Sequence, residues 1–292
     1  MFDGSSRYLS PLRYPGGKAR LAKFVGGLIA KQKSRPLRYV EPYAGGGGVG
    51  LRLLVDEYVD EIVLNDLNPG IAAFWRTVFA EPELLLEMIR TSEVTIDEWH
   101  RQRAIYTSGG ESDVELGFAT FFLNRTNRSG ILNARPIGGL EQQGKWKIDA
   151  RFDRQQLAAR IRGLSQYRSR VTICEEDGAS VIATHLGDGR SFVYADPPYL
   201  EKADDLYLDT FKWEDHVALA DLLNGSSEGW MLTYDADARV TDVLYPDRRC
   251  AEFQMSHTAA VQHVATEYAV FGEEVTVGAL DSLGSGEAKF VA

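Results

Sequence analysis

The feature that most constrains this chain is a short apolar strand running into a series of glycines and then into an amphipathic helix. Tyr39-Val40-Glu41-Pro42-Tyr43 reads as the strand, Ala44-Gly45-Gly46-Gly47-Gly48 as the turn, and Val49 to about Tyr58 as the helix. A turn without side chains lets backbone approach a ligand closely and opens a helix N-terminus toward it. The rhythm then repeats. Glu61 to Asp66 reads as a buried strand, and Asn68-Pro69-Gly70 ends it before a helix carrying Ile71, Phe74, Trp75 and Val78. Alternating strand and helix imply a parallel α/β sheet.

Upstream, Leu21, Phe24, Val25, Leu28 and Ile29 recur at helical spacing behind a Pro15-Gly16-Gly17 breaker, so 19–32 is expected to be an amphipathic helix. From about Glu81 to Arg170 the pattern becomes mostly helical, interrupted by a Gly/Asn/Arg-rich stretch at 124–147. This segment reads as an insertion, in which Ile131 to Pro136 and Lys145 to Asp149 are expected to form a β-hairpin around Gly138-Gly139. The expected division is a catalytic domain from 1–80 and 171–292 and an inserted recognition subdomain at 81–170. Strands resume at Val171 to Glu175, Ser191 to Asp196 and Gly229 to Tyr234, with a helix over Glu214 to Leu223. Ala251 to Ser256 and Thr266 to Phe271 are expected to pair as an antiparallel hairpin at the sheet edge. The Gly/Ser-containing tail after Gly272 gives no clear signal.

Composition narrows the class. The sequence shows no 18-residue uncharged apolar run, and Met1 to Ser10 has no apolar signal-peptide core, which disfavours membrane and secretion readings. Cys174 and Cys250 lie far apart with no metal-ligand spacing, and the five histidines are scattered, as expected of a reduced cytoplasmic protein with no metal site. The net charge of -10 speaks against an anionic partner until its distribution is considered. Residues 7–38 hold nine Lys and Arg and no acid, and residues 121–170 hold eleven against three acids. Residues 171–292 hold seven against twenty-three. Two basic stretches in an acidic chain suit one face meeting an anionic polymer, although solvated helical faces would give the same counts.

Two further constellations carry chemistry. Asp66 ends the second strand about twenty residues after the glycine turn, where a carboxylate can accept from ribose hydroxyls. The pair points to an adenosine-containing cofactor without separating a dinucleotide from S-adenosylmethionine, and Asp66 could equally cap the turn at Asn68-Pro69-Gly70. Asp196-Pro197-Pro198-Tyr199 follows the apolar run Phe192-Val193-Tyr194-Ala195. The prolines hold the backbone extended and leave the carbonyls of Asp196 and Pro197 outside any helix. A planar amino group offers two donors, so a carboxylate and a carbonyl can take both and turn its lone pair toward an electrophile while Tyr199 stacks on the base.

In order and spacing these motifs resemble the Dam-type family of DNA adenine methyltransferases. The resemblance runs from Arg13-Tyr14-Pro15-Gly16-Gly17-Lys18 through Glu41 to Gly50, Leu64-Asn65-Asp66-Leu67-Asn68, Phe122-Leu123-Asn124-Arg125-Thr126 and Asp196 to Tyr199, reaching Asp215-His216 and Glu267-Tyr268. It implies a Rossmann-like methyltransferase sheet, mostly parallel with an antiparallel C-terminal edge hairpin, plus an inserted helical DNA-recognition subdomain. It implies S-adenosylmethionine bound by Tyr14, Lys18, Glu41, Gly45, Gly46, Gly47, Asp66, Asp177 and Asp196, and no metal. The catalytic set would be Asp196, Pro197, Pro198 and Tyr199, acting on an adenine flipped out of double-stranded DNA. Arg125, Asn127, Arg128, Asn133 and Arg135 have side chains that pair with purine edges, and Lys145, Lys147 and Arg151 suit phosphates.

Asn127-Arg128-Ser129 and Ile137 to Gln143 depart from the family pattern, which leaves the target sequence open. Expected partners are DNA and, in a defence setting, a restriction partner, with the chain a monomer or weak dimer. The competing readings are the same fold acting on cytosine N4, an RNA base or a protein amide; a non-catalytic DNA-binding module; and an NAD-dependent oxidoreductase. Asp at position 196 favours adenine by analogy with the family.

Overall fold

The computed structural model describes residues 9–14, 17–200, 211–258 and 262–292. Pro15 and Gly16 of the expected breaker, and Met1 to Tyr8, lie outside the described residues. In chain order the elements are α1 (Ala22–Ala30), β1 (Arg38–Glu41), α2 (Gly48–Val55), β2 (Glu61–Asn65), α3 (Pro69–Ala80), α4 (Pro82–Thr91), α5 (Ile96–Ser108) and α6 (Asp113–Thr126). They continue with α7 (Arg154–Ser165), β3 (Val171–Cys174), α8 (Gly178–His185), β4 (Ser191–Ala195), α9 (Trp213–Asn224), β5 (Trp230–Asp235), β6 (Cys250–Thr258), β7 (Gln262–Phe271) and β8 (Lys289–Phe290). These fall into two compact units, one of Met1–Gly17 with Asp66–Glu175 and one of Lys18–Asn65 with Glu176–Ala292.

In the second unit the strand order is β2-β1-β4-β5-β7-β6-β8. β2, β1, β4 and β5 run parallel, with Val40 opposite both Val63 and Val193, and Val193 opposite Trp230. β7 lies antiparallel to β5 and β6. Strands covered on both faces read as continuous apolar runs rather than as alternation. Every residue of β4, Ser191 to Ala195, is accordingly buried, as are Ile62, Val63 and Leu64 of β2 and Trp230, Met231 and Leu232 of β5. β1 lies between β2 and β4, so the chain's progress across the sheet reverses there. A crevice for ligands opens at the carboxyl ends of strands at such a reversal.

The expected C-terminal hairpin is present, but it does not end the sheet. The tail after Gly272 adds β8, which pairs Ala251 with Phe290, and it buries Val275 and Leu283. Gly284 permits this return, with φ at +79° and its backbone against the carbonyl of Gln254.

The first unit is helical apart from β3. α3 and α6 pack so closely that a Cβ at Gly70 would lie 2.3 Å from Thr120 Oγ1, and one at Gly117 2.8 Å from Thr77 Oγ1. Phe74 and Phe121 stack at 5.8 Å, and Phe118, Phe122 and Phe152 complete an aromatic core around them. Helix starts follow their caps: Asn68 accepts from Gly70 N ahead of α3, Thr95 from Glu98 N, Ser112 from Glu115 N and Asp153 from Gln156 N.

The hairpin expected within 131–149 does not form. Only an isolated bridge joins Asn127 and Pro136 among the described residues of this stretch. Gly138 and Gly139 both take positive φ, as does Gln142, and the segment winds around the Gln142 side chain. Its amide donates to the carbonyls of Ile137 at 2.8 Å and Gly139 at 2.6 Å, and its oxygen accepts from Ile148 N at 2.8 Å. Backbone groups that a strand ladder would use are taken by one glutamine. Asn127 does the same for the preceding turn: fully buried, it donates to the carbonyls of Ile131 and Leu132 and accepts from Trp99 Nε1 at 2.6 Å.

Removing that amide strands buried groups on three sides. Asn127→Ala is expected to cost roughly 2–4 kcal/mol, since each unsatisfied buried group is expensive. The check is a lower urea midpoint with unchanged slope.

Candidate active site

Two loops leave the carboxyl ends of neighbouring strands in the second unit, one from β1 and one from β4. The first is the glycine turn. Gly45 and Gly47 adopt φ of +47° and +58°, a left-handed conformation that side chains resist, and the turn is closed by Gly47 N donating to Ala44 O at 2.7 Å. α2 then starts without a side-chain cap among the described residues. Asn65, at the end of β2, fastens this loop. Its amide donates to Pro42 O at 2.8 Å and Glu176 O at 2.9 Å, its oxygen accepts from Glu176 N, and its carbonyl accepts from Ala44 N. Sequence reasoning noted Asn65 only as the neighbour of Asp66. Its signal is an amide at the end of an otherwise apolar strand.

Glu41 closes β1 from within. It is 5% exposed, its Oε1 accepts from Tyr39 OH at 3.0 Å, and its Oε2 has no hydrogen-bond partner among the described residues. Burial pushes its carboxyl up to about 8, against the opposing pull of the Tyr39 hydroxyl.

The second loop holds Asp196-Pro197-Pro198-Tyr199. Thr233 Oγ1, from β5, donates to Asp196 Oδ1 at 2.7 Å. Because the single Thr233 hydroxyl proton is committed there, the 2.8 Å contact between Tyr194 OH and Thr233 Oγ1 has the tyrosine donating. Lys18 Nζ lies 3.0 Å from Asp196 Oδ1 and 3.1 Å from Oδ2, and it donates to Tyr199 OH at 2.7 Å. Tyr199 OH in turn donates to Glu267 Oε1 at 2.8 Å, and Glu267 Oε2 stands 3.6 Å from Lys18 Nζ. Burial raises the Asp196 carboxyl, and Lys18 is the largest influence holding it down. Burial also works against the Lys18 ammonium, but Asp196 and Glu267 outweigh it and its pKa rises. The structure brings Lys18, expected at the cofactor, against Asp196 and Tyr199, expected at the base, and adds Thr233 and Glu267, to which the sequence assigns no role.

The remaining expected cofactor residues make local contacts of their own. Asp177 is the cap of α8, its Oδ1 accepting from Ser180 N at 3.1 Å. It precedes Gly178, where a Cβ would lie 2.5 Å from the Tyr43 ring, so Tyr43 lies directly on the start of α8. Phe211 meets that ring edge-on at 6.0 Å. Tyr14 and Asp66 belong to the first unit, where Asp66 Oδ1 accepts from Asn68 N at 2.9 Å and Tyr14 O accepts from Gly17 N.

The expected DNA-reading residues all lie in the first unit and divide into two groups. Arg128, Asn133, Arg135, Lys145 and Lys147 are exposed, as are Arg151 and Trp146, the last 63% exposed with Lys145 Nζ 5.7 Å from its ring. The expectation that Asn127 meets a base does not fit its burial and its three hydrogen bonds. Arg125 donates to the carbonyls of Arg151 and Pro11, and burial brings its guanidinium down to about 9, helped by Arg13, Arg160 and Arg151. It ties the N-terminal segment to the loop ahead of α7. Among the described residues no group of three His, Cys, Asp or Glu could hold a metal ion, and no helix is long and apolar enough to cross a membrane.

Comparison with known proteins bears on this geometry. A type II methyltransferase of Methanocaldococcus jannaschii, M.MjaIII, is 27% identical over 203 residues, covering 64% of this chain and 68% of that protein. The type II methyltransferase M1.LlaDCHI of Lactococcus lactis subsp. cremoris is 21% identical over 259 residues, covering 84% of this chain and 87% of that protein. Among solved structures, the rRNA methyltransferase aviRa from Streptomyces viridochromogenes aligns over 90% of this chain and 87% of its own, at 14% identity and a TM-score of 0.39. Residues 14–261, from Tyr14 through the glycine turn and the Asp196 loop to β6, match one family throughout, and the chain belongs to it: the D12 class of N6 adenine-specific DNA methyltransferases.

Proposed function

We propose that Asp196 and the Pro197 carbonyl receive the N6 amine of an adenine extruded from double-stranded DNA, and that Tyr199 stacks on that base. The observation that carries this assignment is the pair of donors fixed on Asp196. Lys18 and Thr233 oppose the effect of burial on Asp196 and orient its carboxyl group. Asp196 and the Pro197 carbonyl then take one N6 hydrogen each, which aims the nitrogen lone pair out of the plane of the base. As the N–CH3 bond forms from that lone pair, N6 becomes cationic, and the surplus proton passes to Asp196, already in contact with it. Tyr199 is held at its hydroxyl by Lys18 and Glu267, which leaves its ring face for stacking.

S-adenosylmethionine, the methyl donor, supplies a methyl group made electrophilic by a positively charged sulfur, with the S–CH3 bonding pair passing to sulfur. The residues at the end of β1 fit it. Left-handed glycines present backbone rather than side chains, the uncapped start of α2 suits an amino-acid carboxylate, and Glu41 sets a buried carboxyl group just ahead of that turn. Within the same unit, Asp177 would contact the cofactor's adenine. Both curated relatives are named type II methyltransferases. That likeness supports a cytoplasmic enzyme that modifies a specific sequence alongside a restriction partner. Segment 81–170 is the target-recognition part in this reading, with Arg128, Asn133, Arg135, Lys145 and Lys147 meeting DNA while Arg125 and Asn127 hold their loops in shape.

Three outcomes test the proposal. Asp196→Ala is expected to abolish N6-methyladenine in DNA digested to nucleosides, while calorimetry still detects S-adenosylmethionine binding; undiminished methylation would remove Asp196 from its role. Lys145→Ala is expected to weaken binding to all sequences alike and to reduce the slope of log affinity against log salt by about one. The third concerns Glu41. Its folded carboxyl, at about 8, lies above its ordinary 4.5, so its stabilising contribution is complete below 4.5 and is lost as pH rises to 8. Glu41→Gln should flatten that fall, and urea midpoints of both chains between pH 5 and 9 would converge at the acid end and separate at the alkaline end.

A further inference from the structure

Glu267 is a carboxylate in the middle of β7, 1% exposed. An acid is rarely buried so completely unless something charged or hydrogen-bonded requires it. Its place follows from strand direction. β7 runs antiparallel to β5 and pairs Glu267 with Asp235, the last residue of β5, so the middle of β7 arrives at the edge where the parallel strands end. There Glu267 Oε1 accepts from Tyr199 OH at 2.8 Å and Oε2 stands 3.6 Å from Lys18 Nζ. Lys18 donates to the same tyrosine oxygen at 2.7 Å and to Asp196 Oδ2 at 3.1 Å. The donors therefore have a fixed sense: Lys18 to Tyr199, Tyr199 to Glu267. Asp235 steadies the far side of the loop, its Oδ1 accepting from Leu200 N at 3.2 Å.

Tyr199 follows two prolines on a loop and has no secondary structure of its own to set its ring. Its hydroxyl, pinned between a donor and an acceptor, fixes the outer end of the side chain. We infer that Glu267 is a positioning residue for methyl transfer: from β7 it anchors Tyr199 and Lys18, and through them sets the stacking ring and the Asp196 carboxylate at their working distances. The inference rests on the roles proposed above for Asp196 and Tyr199. It requires the effect of Glu267 to pass through the Tyr199 hydroxyl, which separates it from a residue needed only for folding.

The experiment is single-turnover methylation of unmethylated genomic DNA, with enzyme in excess, followed by nucleoside analysis. E267A is expected to slow the rate constant about a hundredfold, the size of effect that follows from misplacing a reacting group by about an ångström. The enzyme concentration giving half-saturation should stay within about twofold, since no DNA contact is removed. E267Q, isosteric and still able to accept from Tyr199, should lose less than about tenfold and melt as the wild type does, so it carries the test even where E267A is unstable. Y199F removes the hydroxyl directly, and adding E267A to it should cost less than about threefold more, because two changes along one chain of contacts do not add.

Full losses in the double variant, equal losses in E267Q and E267A, or wild-type rates in both single variants would each overturn the inference. A wild-type chain that forms no N6-methyladenine would instead overturn the reading on which it rests. A readout apart from turnover is 2-aminopurine placed at the target adenine, whose emission is quenched by a stacked tyrosine: E267A should brighten it with DNA binding intact, and unchanged emission would count against the anchor.

Discussion

A lysine ammonium shared between two carboxylates at the end of a buried sheet organises the rest of this molecule. Lys18 is 5% exposed and Glu267 1% exposed, and neither charge could remain there alone. Removing one partner of a buried pair costs about 3–5 kcal/mol, because the other is left without compensation. Lys18 enters from the segment before α1, Asp196 from the end of β4 and Glu267 from β7, so one small cluster binds three separate parts of the chain. The stabilisation and the chemistry reside in the same contacts. The lysine that offsets the burial of Asp196 is also the contact that orients its carboxyl group.

The sheet decides why those parts meet. β1 and β4 are neighbours although far apart in sequence, and the loops leaving them carry the glycine turn and the Asp196 segment. In the proposed reading one would hold the cofactor by its backbone and the other the target amine by a carboxylate and a carbonyl, and the parallel direction of the strands puts both loops at the same edge. Reversing β7 is the complementary device. A parallel strand could offer only its last residue to that edge, whereas β7 offers one from its middle. That explains how Glu267 is so completely enclosed while touching two groups of the site.

What could be read from the amino-acid order follows from whether the cause was local. The strands and helices around the glycine turn were legible because burial on both faces demands continuous apolar runs, and turns demand glycine or proline. Asp196 to Tyr199 were legible for the same reason, since two prolines fix the local path. Glu267 was not, because a lone acid in a strand acquires meaning only from the residues that surround it, and Lys18 lies 249 positions away along the chain. The expected hairpin in 131–149 failed for a related reason. Gly138-Gly139 is a legitimate hairpin signal, but three hydrogen bonds from the Gln142 side chain outcompete a ladder that could have extended over only a few residues.

The basic insert shows how composition overstates a binding surface. Counting arginines and lysines makes 121–170 look like one cationic face, yet several of these charges are turned to internal use. Arg125 is spent on the carbonyls of Arg151 and Pro11, Arg154 on those of Ile89 and Ser92, and Arg160 on Ser10. A guanidinium suits this work because its planar fork satisfies several carbonyls at once and stays charged even when half-buried. The exposed Arg128, Arg135, Lys145 and Lys147 are carried on turns fastened by the buried amides of Asn124 and Asn127 and the half-buried amide of Gln142. The turns of this stretch are held by side-chain amides binding backbone rather than by regular strands. A stiff irregular loop can accommodate substitutions at its exposed tips without losing register, which is the property a target-reading segment requires if related enzymes are to recognise different sequences on one scaffold.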